Sequence, residues 1–281
     1  MSLISTARKQ FHATLINSIL FTNQSGVPTN ADKASRISID IAKSILEQLK
    51  RSSIANRLPG QSSGNQFEQI VQQFTEATFP ALSNLRPGVW HIDQVTGKRL
   101  TISDFEQFVH LDALDRAARE NAELATALGN DYFIKPDIVV SRSPENDEFI
   151  NGSELIVDTT TSNLTPLRSV NTSQKLLHAS ISCKWTLRSD RAQNARSEGL
   201  NLVKNRKGSL PHIVVVTGEP VPARIASLAL GTGEIDMVYH FALPELQVAC
   251  QNFPDAAELI EIMINGKRLK DISDLPFDLA I

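Results

Sequence analysis

The chain has 281 residues, of which 41% are hydrophobic and 21% charged, and its formal net charge is −3. This length allows a sizeable core, which excludes the small domains that depend on disulfides or metals for stability. Its two cysteines, Cys183 and Cys250, have no metal-ligand spacing and form no disulfide framework, which predicts a reducing compartment. No apolar signal segment and no run of about 18 apolar residues occurs, so we expect a cytoplasmic protein.

The first third is predicted to be mainly helical. Apolar residues recur at helical spacing over 41–50 and again over 67–74. A turn-rich loop, 58–64, separates these helices. A third helix is predicted over 111–128, with Gly129 as its C-cap.

The centre of the chain alternates strands and helices. Strands are predicted over 134–140, 154–159, 177–185, 213–217 and 234–241. Helices are predicted over 190–204, 222–230 and 254–261, residues 142–151 are a polar loop, and Asn265-Gly266 is a turn. This alternation predicts an α/β fold with a mixed central sheet flanked by helices. We expect one domain over 1–281, with an N-terminal helical part to about residue 130 and an α/β core over about 131–281.

Positive charge is concentrated in one stretch of this acidic chain. Between Lys184 and Lys207 there are seven basic residues and two acidic ones. A basic element on an acidic body can attract DNA phosphates locally. A solvated helix face followed by a basic turn is the alternative.

The basic stretch begins at the end of a predicted strand. Alternate residues of a strand share a face, so Ser182 and Lys184 point to one side and Cys183 to the other. Cys183 is therefore expected to be a small buried hydrophobe, which argues against a nucleophilic role.

Two carboxylates complete a candidate hydrolytic site. Phosphodiester hydrolysis needs an activated water and neutralised phosphate charge, which Mg²⁺ on Asp and Glu ligands and a lysine can supply. Asp137 stands among apolar strand residues, where an unpaired carboxylate is costly, and Glu198 lies seven residues after Arg191. The alternatives are bonds from Asp137 to nearby backbone and an ion pair of Glu198 with Arg196 or Lys204.

The start of the predicted helix carries groups that can recognise bases. Arg188 and Arg191 can each contact O6 and N7 of guanine, and Asp190 can accept from N4 of cytosine. The alternative is that Ser189 or Asp190 is simply the N-cap between solvated arginines. Together with the carboxylates, these residues favour a metal-dependent nuclease that recognises a DNA sequence.

With these residues assembled, the chain resembles the PD-(D/E)xK nuclease superfamily and, within it, the type II restriction endonucleases. The usual pattern is Pro-Asp, then an acidic residue, any residue and Lys; here Pro136-Asp137 is followed by Ser182-Cys183-Lys184. In having serine at the acidic position, the chain resembles a subgroup of these enzymes that cuts sites with a CCGG core. In that subgroup a glutamate on the following helix replaces the acid, and Glu198 matches it. The resemblance is closest over 58–61, 178–216 and 265–274, and it is weakest in the N-terminal segment and over about 141–175.

The resemblance implies a restriction-endonuclease-like fold and a Mg²⁺-dependent endonuclease that cuts GCCGGC to leave a 5′-CCGG overhang. It implies metal ligation by Asp137, Glu198 and the backbone carbonyl of Cys183, with Lys184 positioning the water. Ser182 takes the place of the usual acid, and Glu68 matches a further acidic residue near the site. The residues that would recognise bases are Arg188, Asp190 and Arg191 for the CCGG core, and Arg224, Asp32 and Gln61 for the outer pair.

The resemblance also implies a homotetramer, a dimer of dimers, that binds two DNA copies. A two-fold dimer is the minimum, because cutting both strands of a palindrome needs two active sites. Two alternatives to the GCCGGC enzyme remain: a related endonuclease with a different CCGG-containing site, and a sequence-specific DNA-binding protein without catalysis.

Overall fold

A mixed sheet organises the chain in a computed structural model that describes residues 1–52, 63–95, 100–128, 134–231 and 233–281. Within these ranges the strands are β1 (Trp90–Gln94), β2 (Ile138–Arg142), β3 (Leu176–Lys184), β4 (His212–Thr217), β5 (Met237–His240) and β6 (Leu269–Asp271). They form one six-stranded sheet in the order β1-β2-β3-β4-β5-β6. β2 pairs antiparallel with both β1 and β3, and β3, β4, β5 and β6 are parallel to one another. The predicted mixed α/β sheet is confirmed.

Helices cover the sheet and fill the N-terminal part of the chain. In the described ranges they are α1 (Leu3–Ser18), α2 (Arg36–Ser52), α3 (Ser63–Thr78), α4 (His110–Glu120), α5 (Ala122–Leu128), α6 (Asp147–Asn151), α7 (Ser189–Asn205), α8 (Pro222–Ala229), α9 (Leu243–Cys250), α10 (Pro254–Asn265) and α11 (Leu275–Asp278). Among them, none combines the length and the apolar character that a membrane crossing requires. Gln61, Gly129 and most of the predicted loop 58–64 lie outside the described residues.

Two predicted elements are wrong because asparagine side chains bind the local backbone. The predicted helix 111–128 is two helices: Asn121 leaves helical geometry, and its Oδ1 accepts from the N–H groups of Glu123 and Leu124. The predicted strand 154–159 is a loop, in which Asn151 Oδ1 accepts from Ile156 and Val157. Such bonds offer the backbone an alternative to a helix or a sheet ladder.

Several elements were not predicted, among them α1, α6, α9, β1 and β6. Helix α6 lies inside the predicted loop 142–151 and begins at Asn146, whose side chain accepts from the N–H of Phe149 at 2.7 Å. Strand β1 lies inside the predicted helical part and pairs with β2 over five residues at the edge of the sheet. Elements as short as α6 and β6 carry too few residues for a periodic pattern to stand out, whereas α1 was missed although it has 16 residues.

The sheet turns one side of β3 toward α7. Leu202 of α7 packs in a hydrophobic cluster with Val139 of β2 and Ile213 of β4. Both of these strand residues are register partners of Ser180. Because partners in register share a face, Ser180, Ser182 and Lys184 face α7. Ligands of open α/β sheets bind outside the carboxyl ends of parallel strands, which here is the edge where Lys184 ends β3.

Candidate active site

A lysine–aspartate pair stands at this carboxyl edge. Asp137 directly precedes β2, and its Oδ2 accepts from Lys184 Nζ at 2.9 Å and from the backbone N–H of Cys183 at 2.7 Å. The two side chains are 22% and 16% exposed, so they are open to a ligand. Asp137 therefore bonds across the sheet to residues more than forty positions away rather than to the backbone beside it.

The surroundings of Lys184 favour its ammonium form. Burial by itself would lower the pKa of Lys184, but Asp137 and Glu198 outweigh burial and raise this pKa above its usual value. An ammonium group at a partly water-excluded edge can donate hydrogen bonds to a phosphate oxygen and offset its charge.

Glu198 faces the lysine from α7. Burial raises the pKa of Glu198 to about 8, with Lys184 opposing the shift and Asp137 adding to it. Among the described ion pairs, Arg196 binds Glu234 at 2.5 Å instead of Glu198. The alternative for Glu198, a surface ion pair with Arg196 or Lys204, is therefore absent from the described residues.

Close packing positions α7 against the sheet. A side chain at Gly199 would place its Cβ 2.4 Å from the carbonyl oxygen of Glu234. Glycine at this position thus lets the helix approach that backbone, and the neighbouring Glu198 faces the edge of the sheet. Gly199 itself is buried.

Two further predicted residues lie at the same edge. Glu68 of α3 lines a cleft of about 520 Å³ together with Asp137. Burial raises the pKa of Glu68, and the charge of Asp137 raises it further. The buried hydroxyl of Ser182 has no hydrogen-bond partner among the described residues.

Cys183 is buried as predicted, and burial raises the pKa of its thiol well above the ordinary value, which argues against a thiolate nucleophile.

These groups fit a hard divalent cation. Across the described ranges, no three His, Cys, Asp or Glu side chains are arranged to hold a metal ion. Asp137 and Glu198 nevertheless provide carboxylate oxygens, and the orphaned Ser182 hydroxyl adds a polar oxygen beside them. Mg²⁺ prefers such oxygen ligands and retains several waters, so two carboxylates suffice.

The helix start after β3 presents three exposed charged side chains, Arg188, Asp190 and Arg191. Arg188 is the N-cap of α7 and makes no capping bond with its side chain. The alternative in which Ser189 or Asp190 is the N-cap is therefore wrong. Arg191 Nη1 donates to Thr186 Oγ1 at 2.7 Å, which anchors that guanidinium beside the helix start. We call residues 187–191 the arginine segment.

A second charged pair adjoins the arginine segment. Arg224 of α8 donates to Asp32 Oδ2 at 2.5 Å, and this bond lowers the pKa of Asp32. Both residues line a cleft of about 460 Å³ together with Arg188. The structure thus brings two of the three predicted outer-pair residues beside the predicted core residues, while Gln61 lies outside the described ranges.

Comparison with known proteins gives the family. A model described as NgoMIV restriction enzyme matches residues 11–281. The chain belongs to the NgoMIV restriction enzyme family. The type II restriction enzyme NgoMIV of Neisseria gonorrhoeae is 56% identical over 283 residues, which cover 99% of this chain and 99% of that protein.

As a member of the NgoMIV family, the chain is a type II restriction enzyme, a site-specific deoxyribonuclease that binds double-stranded DNA. Enzymes of this type generally need a divalent metal ion, in agreement with the oxygen-rich edge around Asp137. The resemblance to type II restriction endonucleases, inferred from the sequence, is therefore confirmed.

One buried residue of this NgoMIV family member was not predicted. Glu219 is 0% exposed. Its Oε2 accepts from the N–H of Leu187 at 2.7 Å, and its Oε1 accepts from the N–H of Val221 at 3.1 Å. Burial raises the pKa of Glu219 to about 7, against the effect of those two amides and Arg224. Its sequence signal is a carboxylate two residues after the end of the buried strand β4, near the position where ligand sites of α/β sheets occur.

Proposed function

We propose that this enzyme is Mg²⁺-dependent, cuts GCCGGC and leaves a 5′-CCGG overhang. The observation that carries the proposal is the Asp137–Lys184 pair at the carboxyl edge of the sheet, with Glu198 facing it. The arginine segment begins three positions after Lys184, at the start of α7. The target is supported by the resemblance to the subgroup with CCGG cores. We also propose one endonuclease domain over 1–281, acting in the cytoplasm, where its two buried thiols would stay reduced.

The chain's own side chains supply the charge balance at the scissile phosphate. A Mg²⁺ ion held at this edge would lower the pKa of a bound water and would neutralise phosphate charge. Asp137 and Glu198 would hold it, together with the backbone carbonyl of Cys183 and with Ser182 at the position of the usual acid. Glu198 would hold the ion as a carboxylate, since metal ligands bind deprotonated. Lys184 Nζ donates to the attacking water or to a phosphate oxygen, and Glu68 adds negative charge nearby.

Base recognition is assigned to the two charged groups beside this edge. Arg188, Asp190 and Arg191 are exposed and would contact the CCGG core from the major groove. Asp32 and Arg224 hold each other in place by their 2.5 Å bond and would contact the outer pair. Gln61 is assigned to the outer pair on the resemblance alone.

We propose a homotetramer, with a dimer as the minimum unit. Between β2 and β3 the chain exposes large apolar side chains: Phe149 58%, Leu155 75%, Ile156 64%, Leu164 96% and Val170 67%. An apolar patch of this kind is typical of a protein interface. The Arg168–Asp147 ion pair, 2.6 Å long and almost buried at the arginine, helps to order this segment for docking a second copy.

The tetramer is tested by sedimentation of the Leu155→Ser/Leu164→Ser double variant. We expect a dimer, because two of the most exposed apolar side chains are removed from the segment. Val248→Ser, which removes a half-exposed valine on α9, is the control and should sediment as the wild type. A double variant that remains tetrameric would contradict this interface.

The target and metal are tested by digestion of plasmids that carry no, one or two GCCGGC sites, with Mg²⁺ and with EDTA. We expect cuts at GCCGGC alone, none with EDTA, and faster cutting of the two-site plasmid if the tetramer must bind two copies. Cuts at other CCGG-containing sites would replace the outer-pair assignment. Specific binding without cutting under any divalent metal would identify a binding-only protein.

A further inference from the structure

The turn that follows β4 packs directly beneath the arginine segment. A Cβ at Gly218 would lie 2.6 Å from Cε3 of Trp185, the residue two positions before the segment begins. The Gly218 N–H donates to the carbonyl of Lys184 at 3.1 Å. The turn is therefore fixed against the end of β3, and Glu219 enters the protein interior from it.

The Glu219 carboxyl connects the arginine segment to the helix that carries Arg224. One oxygen accepts from the N–H of Leu187, within the arginine segment. The other accepts from the N–H of Val221, which is the N-cap residue of α8, and lies 3.7 Å from Arg224 Nη1. Each carboxyl oxygen therefore holds a different element of the candidate DNA interface.

A third connection brings in Asp32. Asn30, which is 1% exposed, donates from Nδ2 to the carbonyl oxygen of Gly218 at 2.9 Å. The bend that contains Asn30 and Asp32 is thus attached to the same turn, and Asp32 in turn binds Arg224. Contacts from all three elements therefore meet at Gly218 and Glu219.

We propose that Glu219 is a positioning residue for sequence recognition, which holds the arginine segment and the Asp32–Arg224 pair at a fixed spacing so that the inner and outer base pairs are recognised together. The inference rests on the proposed function, because it takes these groups as the ones that contact bases. Base contacts demand positions held within about 0.5 Å by supporting hydrogen bonds. A fully buried carboxyl that joins both groups meets that demand without being exposed to a ligand itself.

The test is Glu219→Gln, which preserves shape but replaces one acceptor oxygen by an NH₂ group facing a backbone N–H. Binding is measured with Ca²⁺, without cleavage, on three duplexes: GCCGGC, ACCGGT with the outer pair changed, and GCATGC with the central pairs changed. We expect about tenfold weaker binding of GCCGGC, since one of the two backbone hydrogen bonds to the Glu219 carboxyl is lost. Binding of the two altered duplexes should change less. We call the affinity for GCCGGC divided by the affinity for ACCGGT the outer ratio, and the affinity for GCCGGC divided by the affinity for GCATGC the inner ratio. Both ratios should therefore narrow, that is, fall toward one.

The matched control is Glu245→Gln, which affects a partly buried glutamate that accepts from Arg8 at 2.7 and 3.1 Å, on α9. It lowers stability without contacting the DNA-binding groups, so both ratios should stay at the wild-type values. A ratio does not depend on the folded fraction, which separates positioning from a general loss of stability.

Four results would overturn the inference. Unchanged ratios in Glu219→Gln would mean that the residue has a structural role only. If both ratios also narrow in Glu245→Gln, destabilisation alone would explain the loss of discrimination between duplexes. Narrowing of the outer ratio alone would mean that Glu219 acts on Arg224 and does not connect the two groups. A wild-type enzyme that does not prefer GCCGGC would overturn the proposed target together with this inference, whereas a selective wild type with an equally selective Glu219→Gln overturns the inference alone.

Discussion

At the carboxyl ends of β3 and β4, Lys184 binds Asp137 at 2.9 Å, whereas at their amino ends His178 and His212 pack ring against ring, with centroids 4.9 Å apart. Both ends contain partly buried titratable groups. At the carboxyl end, neighbouring carboxylates raise the pKa of Lys184. At the amino end, burial lowers the pKa of His178 to about 4.

The difference shows that burial alone does not decide whether a group keeps its charge, because carboxylates outweigh burial at Lys184 whereas burial prevails at His178. His178 packs against the rings of Phe79 and Trp90 and binds the carbonyl of Leu279 at 2.7 Å, a set that suits a neutral imidazole. Lys184 has carboxylates instead. The same strands therefore end in a charged edge that can act on a phosphate and in an uncharged edge that stabilises the fold.

The largest effect is expected from breaking the charged edge. Lys184→Ala or Asp137→Ala should lower the cleavage rate by about 10²–10⁴-fold or more, because the water and the phosphate lose their positioning groups. Ca²⁺-supported binding of GCCGGC should remain. Lys270→Ala, which breaks another lysine–aspartate pair of 2.7 Å, is the control and should cut normally. Substantial cleavage by Lys184→Ala, measured in single turnover, would contradict the assignment.

A smaller effect is expected at the arginine segment. Arg188→Ala should weaken specific binding by about 1–3 kcal/mol, which is the contribution of one bidentate base contact. Arg188→Lys retains the charge but loses the planar fork, so it should keep non-specific affinity and lose discrimination against GCATGC. Competition binding with the two duplexes measures this, and full discrimination by Arg188→Lys would rule out base recognition by this residue.

The uncharged edge predicts loss of stability in acid. The folded pKa of His178, about 4, lies below its usual 6.5, so the unfolded chain takes up the proton first. Stability that is present above pH 6.5 is therefore lost as the pH falls toward 4. Between pH 7.5 and 5, wild type should lose about 1–2 kcal/mol more than His178→Gln in urea unfolding.

A suitable control for this pH dependence is His110→Gln, at the start of α4. Burial lowers the pKa of His110 as well, but His110 is less buried than His178. That variant should keep nearly the full wild-type dependence. If His178→Gln loses stability in acid as steeply as the wild type, the imidazole at the amino end is not the group that titrates.

The smallest effect is expected from Ser182→Ala. Its buried hydroxyl has no described partner, so its removal should change the free energy of unfolding by less than about 1 kcal/mol. Thr217→Val is the contrast, because that hydroxyl donates to the Lys184 carbonyl at 2.8 Å and its loss should cost about 1–3 kcal/mol. Equal costs in urea unfolding would mean that Ser182 has a partner of its own.

Some features could be predicted because their signals are local. The buried strands β3 and β4 are continuous apolar or alternating runs, and both were located to within one residue at each end. The candidate residues Asp137, Lys184 and Glu198 follow from residue type and position along these elements. The family membership, too, is carried by short runs around them. Propensity and periodicity act over a few neighbours, so the sequence alone contains this information.

Other features were decided only by tertiary contacts. Glu198 faces the lysine because Gly199 lets α7 lie against the backbone of Glu234. Two other differences from the prediction have a local cause, because Asn121 and Asn151 end a predicted helix and a predicted strand through side-chain bonds to nearby backbone, which no periodic pattern reveals. Glu219 shows the clearest case. Its buried carboxyl joins Leu187, 32 positions earlier in the sequence, to Val221, two positions later. A buried polar group must find its partners wherever the fold brings them, and that arrangement exists only once the chain has folded.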